Sequence, residues 1–369
     1  MRKTVAILDS DVQTRTQLTL ALQGTYRVEI YSNTPQAVSA MQLERPSLVL
    51  VGSQVGDMSG VAVARDINRE RRFAGMPIVY VAERQDTRVR EQLTMVGIKT
   101  IMVKPIDDKL LLAFAGKLIN AEIERGWTEL PRHQRKALEE TITAFNTVTR
   151  DLANGRAPEL GPITEACSAL VEVVALKELG PLLDKIRSHD NYTYVHSMRF
   201  AGFMALFARS IGLPKPMQTQ VACGGLLHDM GMMTLPPALV NKLDALSPDE
   251  WKQMQSHVEA GSRLLAEMGP VSKGVQLIIA QHHERLDGSG YPRGLKGDQL
   301  NELARMAAII DVFCGLTDRR PYKTPLSPNA AFELMANSMA GKLDVTLLPR
   351  FRNILLDSIY TAAEFQEAC

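Results

Sequence analysis

Five short apolar runs punctuate the first 121 residues: TVAIL (4–8), VEIY (28–31), LVLVG (48–52), IVYVA (78–82) and TIMV (100–103). Each is rich in Val and Ile, too short for a stable helix, and followed by turn or helix-start residues. That is the texture of strands buried on both faces. Amphipathic helical stretches separate the runs. Strands alternating with helices close a core as a parallel sheet covered on both sides, so this segment is expected to form a five-stranded, doubly wound α/β fold.

Beyond residue 106 the strand signals fade. LLLAFAGKLINAEIERGW and HQRKALEETITAFNTVTRDLA read as helices, and NGRAPELGP (154–162), with two Gly and two Pro, is the clearest break. These textures predict an α/β domain over 1–121, a largely helical linker over 122–160 and an all-α domain over 161–369. A chain of 369 residues is longer than a single core usually supports. With 45% apolar and 22% charged residues it is neither disordered nor fibrous. The formal charge of +1 gives no pull toward a nucleic acid polymer or an anionic membrane. Cys167, Cys223, Cys314 and Cys369 form no CxxC pair and read as reduced thiols. Asp9 and Asp11 break the first apolar run too early for a signal peptide, and no stretch approaches the ~18 apolar residues of a membrane span. The expected location is the cytoplasm.

The chemistry concentrates in the second domain. Of seven histidines, five lie there in one pattern: His196, His228, His257, His282 and His283. Asp229 follows His228 directly, His282 and His283 are consecutive, and Asp311 interrupts the apolar helix ARMAAIIDVFCGL. An ionised carboxylate in such a helix needs a partner. Imidazoles with carboxylates suit divalent first-row metals, with Fe and Mn foremost and Zn, Ni or Co as alternatives. Two such ions about 3.5–4 Å apart form the usual clamp for phosphate-ester hydrolysis.

HDMG (228–231), HHE (282–284), DGSGYPRGLKG (287–297) and DVFCGLTDRRPYK (311–323) resemble the HD-GYP family, a branch of the HD phosphohydrolases, over about 190–325. The resemblance implies a metal-dependent phosphodiesterase that hydrolyses cyclic di-GMP to pGpG or GMP. It implies one metal held by His196, His228, Asp229 and Asp311, and another by His257, His282 and His283, with Asp229 bridging. Arg320 and Lys323 match phosphate-contacting positions, and Gly290, Tyr291 and Pro292 form the signature loop, which could shape the pocket or dock a partner. Met230, Met232 and Met233 read as core, and Asp287 as the start of a turn. GGDEF-type or other signalling proteins are the implied partners, and a homodimer is compatible with the architecture.

Two departures bear on activity. Met232 stands where the family usually has a lysine at the scissile phosphate, with Asp190 as that lysine's acidic partner or, more plainly, a helix cap. Reduced activity is the expectation. Tyr192 replaces the carboxylate that three-metal members place four residues before the first histidine, so two metals are favoured. A feeble enzyme acting as a cyclic di-GMP sensor or docking protein is the alternative, and an HD hydrolase for another phosphoester a third.

The first domain resembles the receiver domain of two-component response regulators, through LDSD after the first strand and VKP after the fifth. Its chemistry is depleted: Gly52 occupies the phosphoacceptor position, Ser10 replaces the second acid and Ala82 the hydroxyl residue, while Asp9 and Lys104 remain. Glycine has no carboxylate to phosphorylate, so no phosphorylation is expected, and the domain would serve dimerisation or docking. Asp11 reads as a helix cap, Asp57 as a turn residue and Lys104 as a solvated lysine.

Overall fold

The computed structural model describes residues 2–240, 242, 244–319, 324–360 and 365. The chain divides into two compact units, Met1–Gly126 and Trp127–Cys369.

In the first unit β1 (Thr4–Leu8), β2 (Arg27–Tyr31), β3 (Leu48–Val51), β6 (Ile78–Ala82) and β7 (Thr100–Val103) form a parallel sheet ordered β2-β1-β3-β6-β7. A two-stranded hairpin, β4 (Gln54–Val55) and β5 (Met58–Ser59), follows β3. Side chains alternate across the sheet. Ala6, Leu8, Val49, Val51, Tyr80 and Ala82 share one core with α2 (Thr34–Leu43), α3 (Gly60–Arg69) and α4 (Thr87–Met95). Val5, Ile7, Leu48, Leu50, Val79 and Val81 share the other with α1 (Val12–Leu22) and α5 (Asp108–Arg125). Two buried faces explain why the strands are continuous apolar runs. Each helix starts at a side-chain cap: Asp11, Asn33, Ser59, Asp86 and Asp107 in turn accept from backbone N–H groups of the first turn.

The second unit is helical: α6 (Arg132–Ala153), α7 (Leu160–Ala175), α8 (Leu179–Ile186), α9 (Tyr192–Ser210), α10 (Lys215–Leu227), α11 (Pro237–Val240), α12 (Pro248–Gln255), α13 (His257–Glu267), α14 (Lys273–Gln281), α15 (Glu302–Thr317), α16 (Pro328–Ser338) and α17 (Leu347–Ser358). Nearly every residue of α9 from Tyr194 to Ala208 is buried, so this helix is the axis around which the others pack.

Residues 127–160, expected as linker, lie in this unit instead. The charged face of α6 masks a stripe of Ala137, Leu138, Ile142, Phe145 and Val148 that is buried, and α6 packs along α7. NGRAPELGP is the turn of that helical hairpin: Gly155 takes a left-handed φ of 66° just past the helix end, and the Arg156 N–H returns to the Asp151 carbonyl. A chain begun at residue 161 should therefore unfold at lower urea than one begun at residue 127, by at least ~3 kcal/mol on the scale of burying several apolar side chains. Equal midpoints would show α6 to be dispensable.

Candidate metal centre

Five separate stretches deliver the donors. His196 sits in the second turn of α9, His228 ends α10, His257 opens α13 and His282 ends α14, with Asp229 and His283 next in line and Asp311 within α15. Glycine permits the closest of these approaches. At Gly231 a Cβ would run into the His257 carbonyl oxygen, so only glycine lets the turn after Asp229 lie against α13.

Asp229 is the hub. Its Oδ2 lies 3.3 Å from His228 Nε2 and 3.7 Å from His196 Nε2, and its Oδ1 lies 3.3 Å from His257 Nε2 and 3.6 Å from His282 Nε2. One carboxylate thus faces two pairs of imidazoles, one pair per oxygen. His283 Nδ1 meets Asp311 Oδ2 at 3.1 Å, and Arg285 Nη2 approaches the same oxygen at 3.6 Å. Asp229, His257, His282 and His283 can offer one ligand atom each within a common radius, as can His196, His228 and Asp311. Asp229 lies between the two sets, within 3.7 Å of His196 and His228 on one side and of His257 and His282 on the other.

The far side of each ring is tied down. His228 Nδ1 donates to the Gly225 carbonyl at 2.7 Å, His257 Nδ1 to Met254 at 2.7 Å and His282 Nδ1 to Ile279 at 2.9 Å. His196 Nδ1 donates to Asp318 Oδ2 at 2.6 Å. With the proton on Nδ1, each Nε2 presents a lone pair to the centre, as a metal-binding imidazole must. The His196 and His228 Nε2 atoms are 3.2 Å apart, and those of His257 and His282 3.4 Å. Facing lone pairs at that separation repel unless a cation or a proton lies among them, so the donor set fits divalent metal ions.

The electrostatics agree. Burial pushes the Asp229 carboxyl up, but His228, His257 and His282 outweigh it and hold the group well below the usual carboxylate range. Burial likewise opposes ionisation of Asp311, and His283, His282 and Arg285 overcome it. His228 and His257, despite burial, are raised above the ordinary imidazole value by Asp229. His282 is pushed down to about 3 by burial and the neighbouring His283. Protons on His228 and His257 therefore compete with metal ions. Loading with Mn²⁺ at pH 7 should release protons, and affinity should fall as pH drops from about 8 to 6, since ligands must be deprotonated. Calorimetry in buffers of different ionisation enthalpy reads both effects; a pH-independent affinity would contradict this.

Motif reading missed several supporting residues. Asp318, seven residues after Asp311 and so two turns along one helical face, orients His196 while Arg199 pairs with its other oxygen. His196, Cys314 and Asp318 also cluster, but there the guanidinium already supplies the cation. Glu284, fully buried, accepts from the Arg293 N–H at 2.8 Å and the Leu295 N–H at 2.9 Å and so pins the signature loop. Phe145 and Val148 of α6 line a cleft with Leu226, Met230, Met233 and Asp229.

Within the loop, Tyr291 lies over His283 with ring centroids 4.6 Å apart, and its N–H donates to the His283 carbonyl. Burial, then the charges of Asp311 and Asp229, push its phenol far up, so it stays protonated. Gly290 rests on the backbone of His283–Arg285, where a Cβ would collide, and half-buried Pro292 follows a cis peptide bond. Asp287 accepts from the N–H and hydroxyl of Ser289, as a turn residue. Met230 is buried, while Met232 and Met233 are half-buried. Tyr192 stacks on His196 at 6.0 Å. Asp190 is half-buried just before α9, whose cap is Asn191 rather than Asp190, because the Asn191 side chain reaches the Tyr194 N–H. Arg320 and Lys323 lie outside the described residues.

In the first unit Asp9 takes the space the acceptor would need: a Cβ at Gly52 would fall within its carboxylate. Asp9 is buried, which raises its pKa, and its Oδ1 accepts from the Asp11 N–H at 2.8 Å. Ser10 Oγ accepts from the Gly56 N–H, Asp11 caps α1, and Asp57 lies in the β4–β5 turn. Lys104 is not the solvated lysine expected. Its Nζ reaches Glu83 Oε1 at 2.6 Å, the Thr14 hydroxyl and, at 3.6 Å, Asp11 Oδ2, because removing the acceptor leaves other acids at the same strand ends. Restoring the acid by Gly52→Asp should destabilise this unit by about 1–3 kcal/mol, as overpacking does, with Asp9→Ala in the same chain recovering most of the loss. Denaturant midpoints read both; an unchanged G52D midpoint would show the site to be roomy.

A receiver-type sheet and a helical unit carrying a histidine–aspartate cluster able to hold metal place the chain in the receiver-plus-HD-domain class. The response regulator receiver domain model matches residues 5–115, and the HD domain model residues 182–347. The chain is homologous to the HD-GYP cyclic di-GMP phosphodiesterases. It is 35% identical over 222 residues to the cyclic di-GMP phosphodiesterase PA4108 of Pseudomonas aeruginosa, covering 56% of this chain and 53% of that one, about half its length. With the cyclic di-GMP phosphodiesterase response regulator RpfG of Xanthomonas campestris pv. campestris it shares 27% identity over 89% of this chain and 81% of the relative. Among solved structures, Bd1817, an HD-GYP-type protein of Bdellovibrio bacteriovorus, matches the fold with a TM-score of 0.50 at 19% identity, over 68% of this chain and 81% of that one. No helix among the described residues is long and apolar enough to cross a membrane.

Proposed function

We propose that this chain hydrolyses cyclic di-GMP to pGpG or GMP at the Asp229 centre. The observation that carries the reading is the division of one half-buried carboxylate between two pairs of imidazoles, each ring locked with Nε2 inward. His196, His228 and Asp311 would hold one divalent ion, and His257, His282 and His283 the other, with Asp229 shared. When bound, such a pair supplies Lewis acidity toward phosphoryl oxygens and an activated water. The protein's part is to hold the donors rigid and largely dehydrated, so that little reorganisation accompanies the reaction. Asp318 and Arg199 keep His196 in one orientation, and Glu284 keeps the signature loop over His283. The homologous phosphodiesterases support the substrate class.

Met232 favours a second reading. A thioether offers no positive charge to a phosphate, and one lost donor costs on the order of 10²-fold in rate, which would leave a feeble enzyme acting as a sensor. The first unit, with Gly52 at the acceptor position, acts in either case without phosphoryl transfer.

Purified protein loaded with Mn²⁺ or Fe²⁺ under reducing conditions, incubated with cyclic di-GMP and followed by nucleotide chromatography, separates the readings. The proposal expects guanine nucleotide products, their loss in Asp229→Ala, and faster turnover in Met232→Lys. Tight binding without turnover selects the sensor, and hydrolysis of other phosphoesters alone selects a different HD hydrolase.

A further inference from the structure

We infer that Trp251 is a stacking platform for a purine base of the substrate, an inference that rests on the nucleotide phosphodiesterase reading above. The chain has two tryptophans. Trp127 is buried at 3% exposure, whereas Trp251 is 49% exposed. Trp251 lies on α12, which buries none of its residues, yet the helix is firmly placed. Ser247 and Glu250 close a reciprocal capping box at its start, and Lys242 Nζ holds both Glu250 oxygens at 2.7 Å. No residue of this helix is fully buried, and packing leaves about half of its largest apolar ring in solvent.

Its position supplies a reason. Trp251 stands edge-on to Tyr291, with centroids 6.1 Å apart and ring planes at 79°. Tyr291 in turn lies 4.6 Å from His283 and 6.4 Å from His257. An aromatic ladder thus leads from the candidate metal centre outward: His283, Tyr291, then Trp251. The inner face of Tyr291 is taken by His283, so the open aromatic surface at the end of the ladder is the indole. In a nucleotide the base is held one ribose away from the phosphate. A phosphodiester gripped at the Asp229 centre would carry its base outward over this rim. An indole offers a broad π-face to any base, and stacking is indifferent to the hydrogen-bonding edge. Trp251 therefore favours aromatic nucleotides over bare phosphoesters without choosing between guanine and adenine.

Fluorescence and kinetics of the metal-loaded full chain test this. Cyclic di-GMP and GMP should quench the exposed tryptophan, and ribose 5-phosphate should not. Trp251→Ala should raise KM for cyclic di-GMP about tenfold with kcat within about twofold, in keeping with alanine substitutions at stacking residues, and Trp251→Phe should restore most of the loss. Because Trp251 is half-exposed, the alanine variant should unfold at a denaturant midpoint close to that of the wild type, and Trp251→Phe closer still. Quenching that survives in Trp251→Phe, an unchanged KM in Trp251→Ala, or equal response to ribose 5-phosphate would overturn the inference. If wild-type protein shows no hydrolysis but purine nucleotides still quench Trp251, the phosphodiesterase reading fails while the stacking platform stands.

Discussion

A single half-buried carboxylate, Asp229, sets the terms for the helical unit. An anion removed from water needs compensation close at hand, and here it comes from imidazoles on four different helices. Those helices must approach within side-chain reach of one point, which explains features that otherwise look unrelated. Gly231 lets the turn after Asp229 lie on α13, and α9 is buried on nearly every side because it carries His196 through the middle of the bundle. The backbone carbonyls of Gly225, Met254 and Ile279 then accept the outer ring protons, so the orientation of three imidazoles is decided by helix ends rather than by flexible side chains.

The first unit shows the opposite relation between a motif and its surroundings. The receiver sheet is intact, and its strand ends still gather Asp9, Asp11, Glu83 and Lys104. Gly52 adds no side chain to that gathering, and the space beside it is filled rather than open. Asp9 lies over Gly52, Ser10 secures the neighbouring loop, and Lys104 pairs with acids that remain.

Much of this was legible beforehand because the relevant signals are local. The five strands show as apolar runs, and the burial of β1, β3 and β6 on both faces follows from their central places in a parallel sheet. The helix cap at Asp11 is a one-residue signal. The histidine and aspartate motifs are short, and each brings its donors within a turn of one another. What escaped depends on contacts between distant segments. The core-facing stripe of α6 is hidden among Arg, Lys and Glu, so the helix reads as a linker until α7 is placed beside it. Glu284 gains its purpose when the loop nine to eleven residues later folds back onto it. Asp318 acquires its role across 122 residues of sequence.

The sequence by itself determined the two fold classes, which histidines and aspartates could serve as metal donors, and that glycine stands at position 52, since periodicity and residue chemistry are properties of the chain at each position. Only the tertiary structure decided how those donors divide between the two oxygens of Asp229, which nitrogen of each ring faces inward, and what fills the space above Gly52. The physical reason is common to all three: hydrogen bonds and ion pairs depend on distances of a few ångströms between residues tens to hundreds apart in sequence, and those distances exist only once the helices have packed.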